Sequence, residues 1–212
     1  MSGILDLLNS DLGKTIVSGV SGSTGTDQSK ANSVLTMAMP VLMKAMQRNA
    51  NSQEGAQGLM NALNSKHDGS ILDNLGSVFA GGVDDSVKTD GSKILGHVLG
   101  NKQQHVQMAL SQKSGLDTSS VANILQVAAP ILMGVLGKQA KKNNVSSPSA
   151  LGGLLNNMVT DNSPQQEQSF LESILDADGD GSIVDDVAGM VLGGSKKKSG
   201  LGGLLGGLFG KR

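Results

Sequence analysis

The chain repeats an apolar, proline-containing segment after 90 residues. Residues 25–43 (GTDQSKANSVLTMAMPVLM) align without a gap with residues 115–133 (GLDTSSVANILQVAAPILM). Residues 58–63 (GLMNAL) and 153–158 (GLLNNM) also resemble each other, at a slightly longer offset. Similarity on this scale is typical of two copies of one structural unit. The sequence therefore predicts two tandem repeats of a helical unit, packed with approximate twofold symmetry.

Each copy predicts a long central helix. Asp27 and Asp117 are suitable N-caps, because an aspartate side chain accepts hydrogen bonds from the unpaired amides of the first helical turn. Apolar residues then recur at helical spacing over residues 34–46 in the first copy and 121–135 in the second. Both segments are apolar over most of their circumference, so we expect each helix to be surrounded by others.

Pro40 and Pro130 occupy the same position within the two predicted helices. A proline inside a helix removes one backbone hydrogen bond and displaces the carbonyl four residues earlier, here that of Thr36 or Gln126. Two structures satisfy this pattern. Either one helix continues with a kink that lets it wrap its neighbours, or a first helix stops and a second begins with proline in its first turn. A freed carbonyl is also a candidate ligand-binding group.

The shorter segments around the long helices suit short helices and none alternates with period two for long, so we expect an all-α, multihelical fold. Composition describes its core and excludes several functions. The core must consist of Leu, Val, Ile, Met and Ala, because the chain has no Trp or Tyr and only three Phe. A net charge of −1 and the lack of stacking aromatic residues argue against nucleic-acid binding. The absence of cysteine excludes disulfides and thiolate zinc sites. The first residues lack the basic start and apolar stretch of a signal peptide, and we expect a cytoplasmic protein.

The same patterns divide the chain into four regions. Residues 1–83 and 84–160 are the two predicted helical repeats, with proline-kinked central helices. Residues 161–195 form an acidic helix–loop–helix, and residues 196–212 form a Gly/Leu-rich basic tail that we expect to be disordered. Residues 19–25 (GVSGSTG) contain the glycines of a phosphate loop but not its Gly-Lys-Ser/Thr ending, which favours a flexible connector.

Several phrases in the first 160 residues resemble the YidB-like bacterial family, catalogued as domain of unknown function 937. The phrases occur in the family's order and are ILDLL at 4–8, DGSILD at 68–73, DGSKILGH at 90–97, ALSQKSGLD at 109–117 and APILMG at 129–134. The resemblance implies a multihelical fold and a bacterial source. It implies no activity and transfers no functional residue.

The most specific functional signal is the acidic segment that starts at Asp176. Asp176, Asp178 and Asp180 stand at positions 1, 3 and 5 of an EF-hand-type calcium loop. Gly181 stands at position 6, where the loop must turn sharply, and Ser182 would offer its carbonyl at position 7. The pattern predicts a calcium site in this segment. Magnesium fits less well, because it rarely accepts an all-protein cage.

The loop departs from the pattern at its end. Val187 stands at position 12, where a bidentate Glu is expected. A shortened loop would use Asp186 as the closing ligand; otherwise the site is open on one side and binds weakly. An alternative needs no metal, because Ser182 and Asp185 have the spacing of a helix capping box, as do Ser70 and Asp73. The segment would then be a solvated acidic turn.

The charge distribution around the loop favours a bound cation over a solvated acidic turn. No Lys, Arg or His occurs between residues 143 and 194, while eight of the 18 acidic residues lie between residues 161 and 186. Carboxylates this dense repel one another unless a cation or solvent screens them.

The tail offers a second functional hypothesis. Leucines and Phe209 form one helical stripe over residues 201–209, with basic residues at both ends of the tail. Such a segment suits weak attachment to an anionic membrane surface or a partner groove. We therefore expect a non-enzymatic protein that binds a protein partner or self-associates, with peripheral membrane association as the alternative.

An enzyme is the least favoured class. Its site would lie in the groove between the repeats, near Pro40 and Pro130, where few titratable residues occur. The three histidines, His67, His97 and His105, are scattered and predict surface or boundary positions rather than a zinc site.

Overall fold

The computed structural model describes residues 4–160 and 174–175, and all of these lie within one compact unit formed by residues 1–180. The described part of the chain is all-α, as predicted, with no strand. Its helices are α1 (Ile4–Asn9), α2 (Asp11–Thr24), α3 (Gln28–Asn49), α4 (Gln53–Ser65), α5 (Ser70–Asp73), α6 (Leu75–Phe79), α7 (Asp85–Leu99), α8 (Gln103–Ser114), α9 (Thr118–Lys142) and α10 (Pro148–Thr160). A short 3-10 helix, Gly100–Lys102, separates α7 from α8.

Helix α9 forms the centre of the described helical body. It packs against α2, α3, α4, α5, α7 and α8, and every residue from Val127 to Gly137 is buried. The core around it is aliphatic and draws Leu, Val, Ile, Met and Ala from both predicted repeats. By length and composition α9 is the one described helix that would suffice to cross a membrane, and 78% of its most apolar window is buried inside the protein, as in a core helix.

The predicted N-caps of the two long helices are confirmed. Asp27 accepts hydrogen bonds from the backbone N–H groups of Ser29 and Lys30 at the start of α3. Asp117 accepts one from Ser120 at the start of α9. These bonds satisfy amides that have no partner within the helix.

The corner before each long helix also has matching local geometry. Gly25 ends α2 and Gly115 ends α8, both with φ of +66°, a conformation that favours glycine. The hydroxyl of Ser21 donates to the carbonyl of Thr26, and the bond recurs 90 residues later between Ser111 and Leu116. The tandem repeat and its twofold symmetry stay predictions beyond these local matches.

Both long helices run through their prolines without interruption, which rules out the two-helix alternative. The carbonyl that Pro130 releases, that of Gln126, lies against Gly91 of α7. A Cβ atom at Gly91 would overlap this carbonyl oxygen, so only glycine permits the approach. The freed carbonyl therefore serves helix packing.

The predicted connector at residues 19–25 is wrong. Residues 19–24 form the last turns of α2, and Val20 is fully buried. The hydroxyls of Ser23 and Thr24 donate to the carbonyl of Val20 within the helix. Burial of the apolar face of α2 outweighs the low helix propensity of Gly and Ser in these residues.

Candidate functional site

The predicted calcium ligands lie outside the described residues. These are Asp176, Asp178, Asp180, Ser182 and Asp186. Within residues 4–160 and 174–175, no group of three or more His, Asp or Glu side chains is placed to hold a metal ion. The calcium site therefore stays a prediction from sequence.

The two residues directly before the acidic segment are described. Ile174 and Leu175 are buried, each 3% exposed. The carbonyl of Leu175 accepts hydrogen bonds from Arg48, with Nη1 at 3.0 Å, and from the Nζ of Lys102. Arg48 lies in the last turn of α3 and Lys102 in the 3-10 helix before α8. Two cationic side chains thus hold the peptide group directly before Asp176.

A separate polar groove lies where α7, α9 and the segment between α4 and α5 meet. It is open to solvent and has a volume of about 490 Å³. Its lining combines charged, hydroxyl and apolar side chains, namely Lys66, His67, Ile71, Ser86, Val87, Thr89, Asp90, Lys93 and Pro130.

Glycines set the position of the groove walls. A Cβ atom at Gly137 of α9 would overlap the carbonyl oxygen of His67, and one at Gly134 would overlap the side chain of Ile71. Gly91 makes the matching approach of α7 to the Gln126 carbonyl. Because the contacts at Gly91 and Gly137 are with backbone atoms, glycine is required at both positions and the walls there have little freedom to shift.

Two ion pairs fasten the segment before and within α5 to α9. The Nζ of Lys141 lies 2.7 Å from Oδ2 of Asp68, and the Nζ of Lys138 lies 3.1 Å from Oδ1 of Asp73. Hydrogen bonds from Lys141 and then Ser70 hold the pKa of the Asp68 carboxyl well below its usual range. The predicted capping box is wrong at this site, because Asp68, and not Ser70, accepts the backbone N–H bond at the start of α5.

A buried histidine and a carboxylate face each other in the groove. Nε2 of His67 lies 3.4 Å from Oδ2 of Asp90, and the side chains are 7% and 30% exposed respectively. Burial lowers the pKa of His67, the Asp90 charge opposes this, and Lys66 adds to the lowering. The net shift of the His67 pKa is downward, so His67 is neutral near pH 7. The pair can accept hydrogen bonds from a ligand donor.

Sequence reasoning missed this site. His67 was expected at the surface or a boundary, but it is buried, as is His105 on α8, whereas His97 is exposed. Nδ1 of His105 has no hydrogen-bond partner within the described part of the chain. His67 precedes a turn and carries no helical pattern, so nothing local indicates its burial.

Comparison with known proteins identifies a family and no function. The model of one family, described as a bacterial protein of unknown function (DUF937), matches residues 6–139 and 141–212. The match extends beyond residue 160, where the resemblance was expected to stop, and includes the acidic segment and the tail. Neither the curated proteins nor the solved structures contain a match to the chain.

Proposed function

We propose that this chain, which belongs to the DUF937 family of bacterial proteins of unknown function, is a non-enzymatic binding protein whose acidic segment takes up calcium. The proposal rests on one observation, the alternation of Asp176, Asp178 and Asp180 before Gly181. Carboxylates at alternating positions followed by a glycine turn supply the hard oxygen ligands that Ca²⁺ requires. Ser182 and Asp186 complete the proposed ligand set.

The peptide at Leu175, directly before this segment in the chain, is anchored to the helical body. Arg48 and Lys102 hold the carbonyl directly before the first proposed ligand. Their positive charges oppose a cation bound nearby and also stabilise the carboxylates when no cation is present. We infer that calcium binding is coupled to the end of α3 and to the 3-10 helix before α8 through these two side chains.

Calorimetric titration tests the calcium site. We expect the full-length protein to bind Ca²⁺ with a dissociation constant of about 0.1 to 1 mM, because the closing Glu is missing. The double variant Asp178→Ala/Asp180→Ala should lose the binding heat. Asp161→Ala/Glu167→Ala removes two acidic side chains outside the loop and should retain it. Absence of heat at millimolar calcium in the parent protein would refute the proposal.

A second titration tests the coupling. Lys102→Met should raise calcium affinity about two- to fivefold at low salt, with a smaller gain at high salt. Lys88→Met is the control, because Lys88 lies on α7 about 16 Å along the helix axis from its C-terminal end. Equal affinities in the parent and in Lys102→Met would separate the calcium site from the Leu175 anchor.

Membrane association is the second candidate function. The observation that favours it is the run of three lysines at 196–198 followed by the leucine stripe at 201–209. Flotation with anionic liposomes should be lost when the chain is truncated after Ser195. Equal flotation of both forms would reject the tail as an anchor and leave a cytoplasmic binding protein with a protein partner or a second copy of itself.

A further inference from the structure

The groove between α7 and α9 contains polar groups that the described part of the protein leaves without partners. The ammonium groups of Lys66 and Lys93 form no ion pair there, and the hydroxyls of Ser86 and Thr89 form no hydrogen bond. All four residues are exposed to solvent. Several such donors around one groove, beside the buried His67 and the half-buried Asp90, are typical of a small-molecule site.

Neighbouring lysines behave differently. Lys138 and Lys141 on α9 are engaged by Asp73 and Asp68. Lys88 on α7 has its own partner, Asp85, one turn earlier in the helix. Lys66 and Lys93 are thus the two groove cations that no carboxylate of the described residues neutralises.

The groove is positively charged in a protein whose net charge is −1. Lys66 and Lys93 contribute two positive charges, and Asp90 contributes one negative charge beside a neutral His67. A local excess of positive charge within a concave surface attracts and concentrates anions. A groove with this charge favours a ligand that has at least one negative group.

We propose that this groove binds a small molecule that carries a carboxylate or phosphate group together with a hydroxyl or amine. The anionic group lies between Lys66 and Lys93, and the hydroxyl or amine donates to Asp90. Ile71 and Pro130 provide apolar surface for the carbon skeleton. The volume of about 490 Å³ is within the range of such sites.

The backbone contacts described above make this groove preformed. Gly91 and Gly137 bring α7 and the His67 backbone directly onto α9. The ion pairs at Asp68 and Asp73 fasten the opposite wall. A site whose walls are already ordered loses less conformational entropy when it binds its ligand.

Histidine NMR of the full-length, calcium-free protein tests the proposal, with succinate, malate and inorganic phosphate as probes. The chain has three histidines, so the His67 signal can be assigned with His67→Gln. We expect saturable shifts of the His67 signal, with a dissociation constant of about 0.1 to 1 mM for the best probe. Malate should bind more tightly than succinate, because only malate has a hydroxyl for Asp90. The stronger of the phosphate and carboxylate probes identifies the preferred anionic group.

Two matched double variants decide the outcome. Lys66→Met/Lys93→Met should weaken binding at least tenfold. Lys88→Met/Lys142→Met removes the same number of positive charges outside the groove and should change affinity less than twofold. Equal weakening in both double variants would show that overall charge causes the effect, and it would overturn the proposed site. Shifts that do not saturate with any of the three probes would overturn it as well.

The calcium proposal is separable from this one. The same titrations in Asp178→Ala/Asp180→Ala should give unchanged anion affinities. Thermal unfolding of each lysine variant should match that of the parent, since both groove lysines are exposed.

Discussion

Helices α3 and α9 both have an aspartate cap and an internal proline. Only α9, however, forms a wall of the polar groove that contains His67, here called the His67 groove. In the 90-residue alignment, Gly134 and Gly137 of α9 correspond to Lys44 and Gln47 of α3. The two glycines admit the segment that leads into α5, with the His67 carbonyl on Gly137. Lys44 and Gln47 would block such an approach by side-chain volume alone.

Helix α3 uses the equivalent surface for a different neighbour. The Nε2 of Gln47 donates to Oδ1 of Asn156 on α10 at 2.8 Å, and α10 packs along α3. A long polar side chain suits a helix–helix contact at its exposed margin, whereas a bare backbone suits close packing of a loop. Two helices with matching caps and prolines thus differ in their neighbours where α3 has Lys44 and Gln47 and α9 has glycine.

The largest expected effect comes from adding one methyl group to the α9 wall. Gly137→Ala should destabilise the protein by about 3 kcal/mol, because the new Cβ overlaps the backbone carbonyl of His67 and neither backbone can move freely. Gln47→Ala, at the matching position of α3, should cost about 1 kcal/mol or less. Chemical denaturation monitored by circular dichroism measures both.

Two glycines of α7 provide the internal control. Gly91→Ala should also be destabilising, since its Cβ would overlap the Gln126 carbonyl. Gly96→Ala, on the same helix with open space around it, should stabilise the protein by about 0.5 to 1 kcal/mol. A stabilising Gly137→Ala or Gly91→Ala would contradict the close approach of these backbones.

The next largest effect is a pH dependence of the free energy of unfolding, which comes from His67 in the groove between α7 and α9. The folded pKa of His67 lies below its unfolded value of about 6.5, so the unfolded state binds more protons once the pH falls through that value. Stability from this group is complete above pH 6.5 and is lost as pH falls towards the folded pKa. Asp90 and Lys66 are the charged groups that act on the imidazole, with opposite signs.

Denaturation at pH 7.5 and pH 5.5 checks this prediction. The parent protein should lose more stability between the two values than His67→Gln does. His97→Gln, which alters an exposed histidine, should behave like the parent. An identical pH dependence in all three proteins would mean that the burial of His67 carries no protonation penalty.

Local features of this fold were predictable from sequence, whereas the groove was not. Asp27 and Asp117 cap helices through bonds to residues two or three positions away, so spacing alone reveals them. The His67–Asp90 contact joins segments that only the packing of α7 and α9 brings together. Glycine positions carry no signal of their own, because Gly91 and Gly96 look alike in the sequence but only Gly91 is buried against backbone.

The composition of residues 19–24 gave a wrong prediction, because tertiary burial overrides helix propensity there. Glycine, serine and threonine in residues 19–24 favour a connector, but Ile16, Val17 and Val20 bury one face of α2 and extend the helix to Thr24.

The calcium site stays a prediction from sequence. Its three aspartates are read from spacing alone, and the described structure reaches only Leu175 before them.

The smallest expected effect tests what α3 and α9 have in common. Asp27→Ala and Asp117→Ala should each lower the melting temperature by about 2 to 4 °C, because each removes a side chain that caps the first turn. Hydrogen bonds from neighbouring serine hydroxyls and backbone amides lower the pKa of both carboxyls. Their contribution is therefore present above the ordinary carboxyl pKa of about 3.9 and is lost as pH falls through the folded values.

Asparagine substitutions make the test specific for capping. Asp27→Asn and Asp117→Asn keep an acceptor oxygen and should retain most of the melting temperature at pH 7, but without the acid-dependent component. Similar losses at the two sites would show that the shared N-terminal halves of α3 and α9 are energetically equivalent as well as geometrically alike. A much larger loss at Asp117 would instead mean that the α9 cap also supports the groove, since α9 packs against α5 and α7 through glycine contacts that α3 lacks.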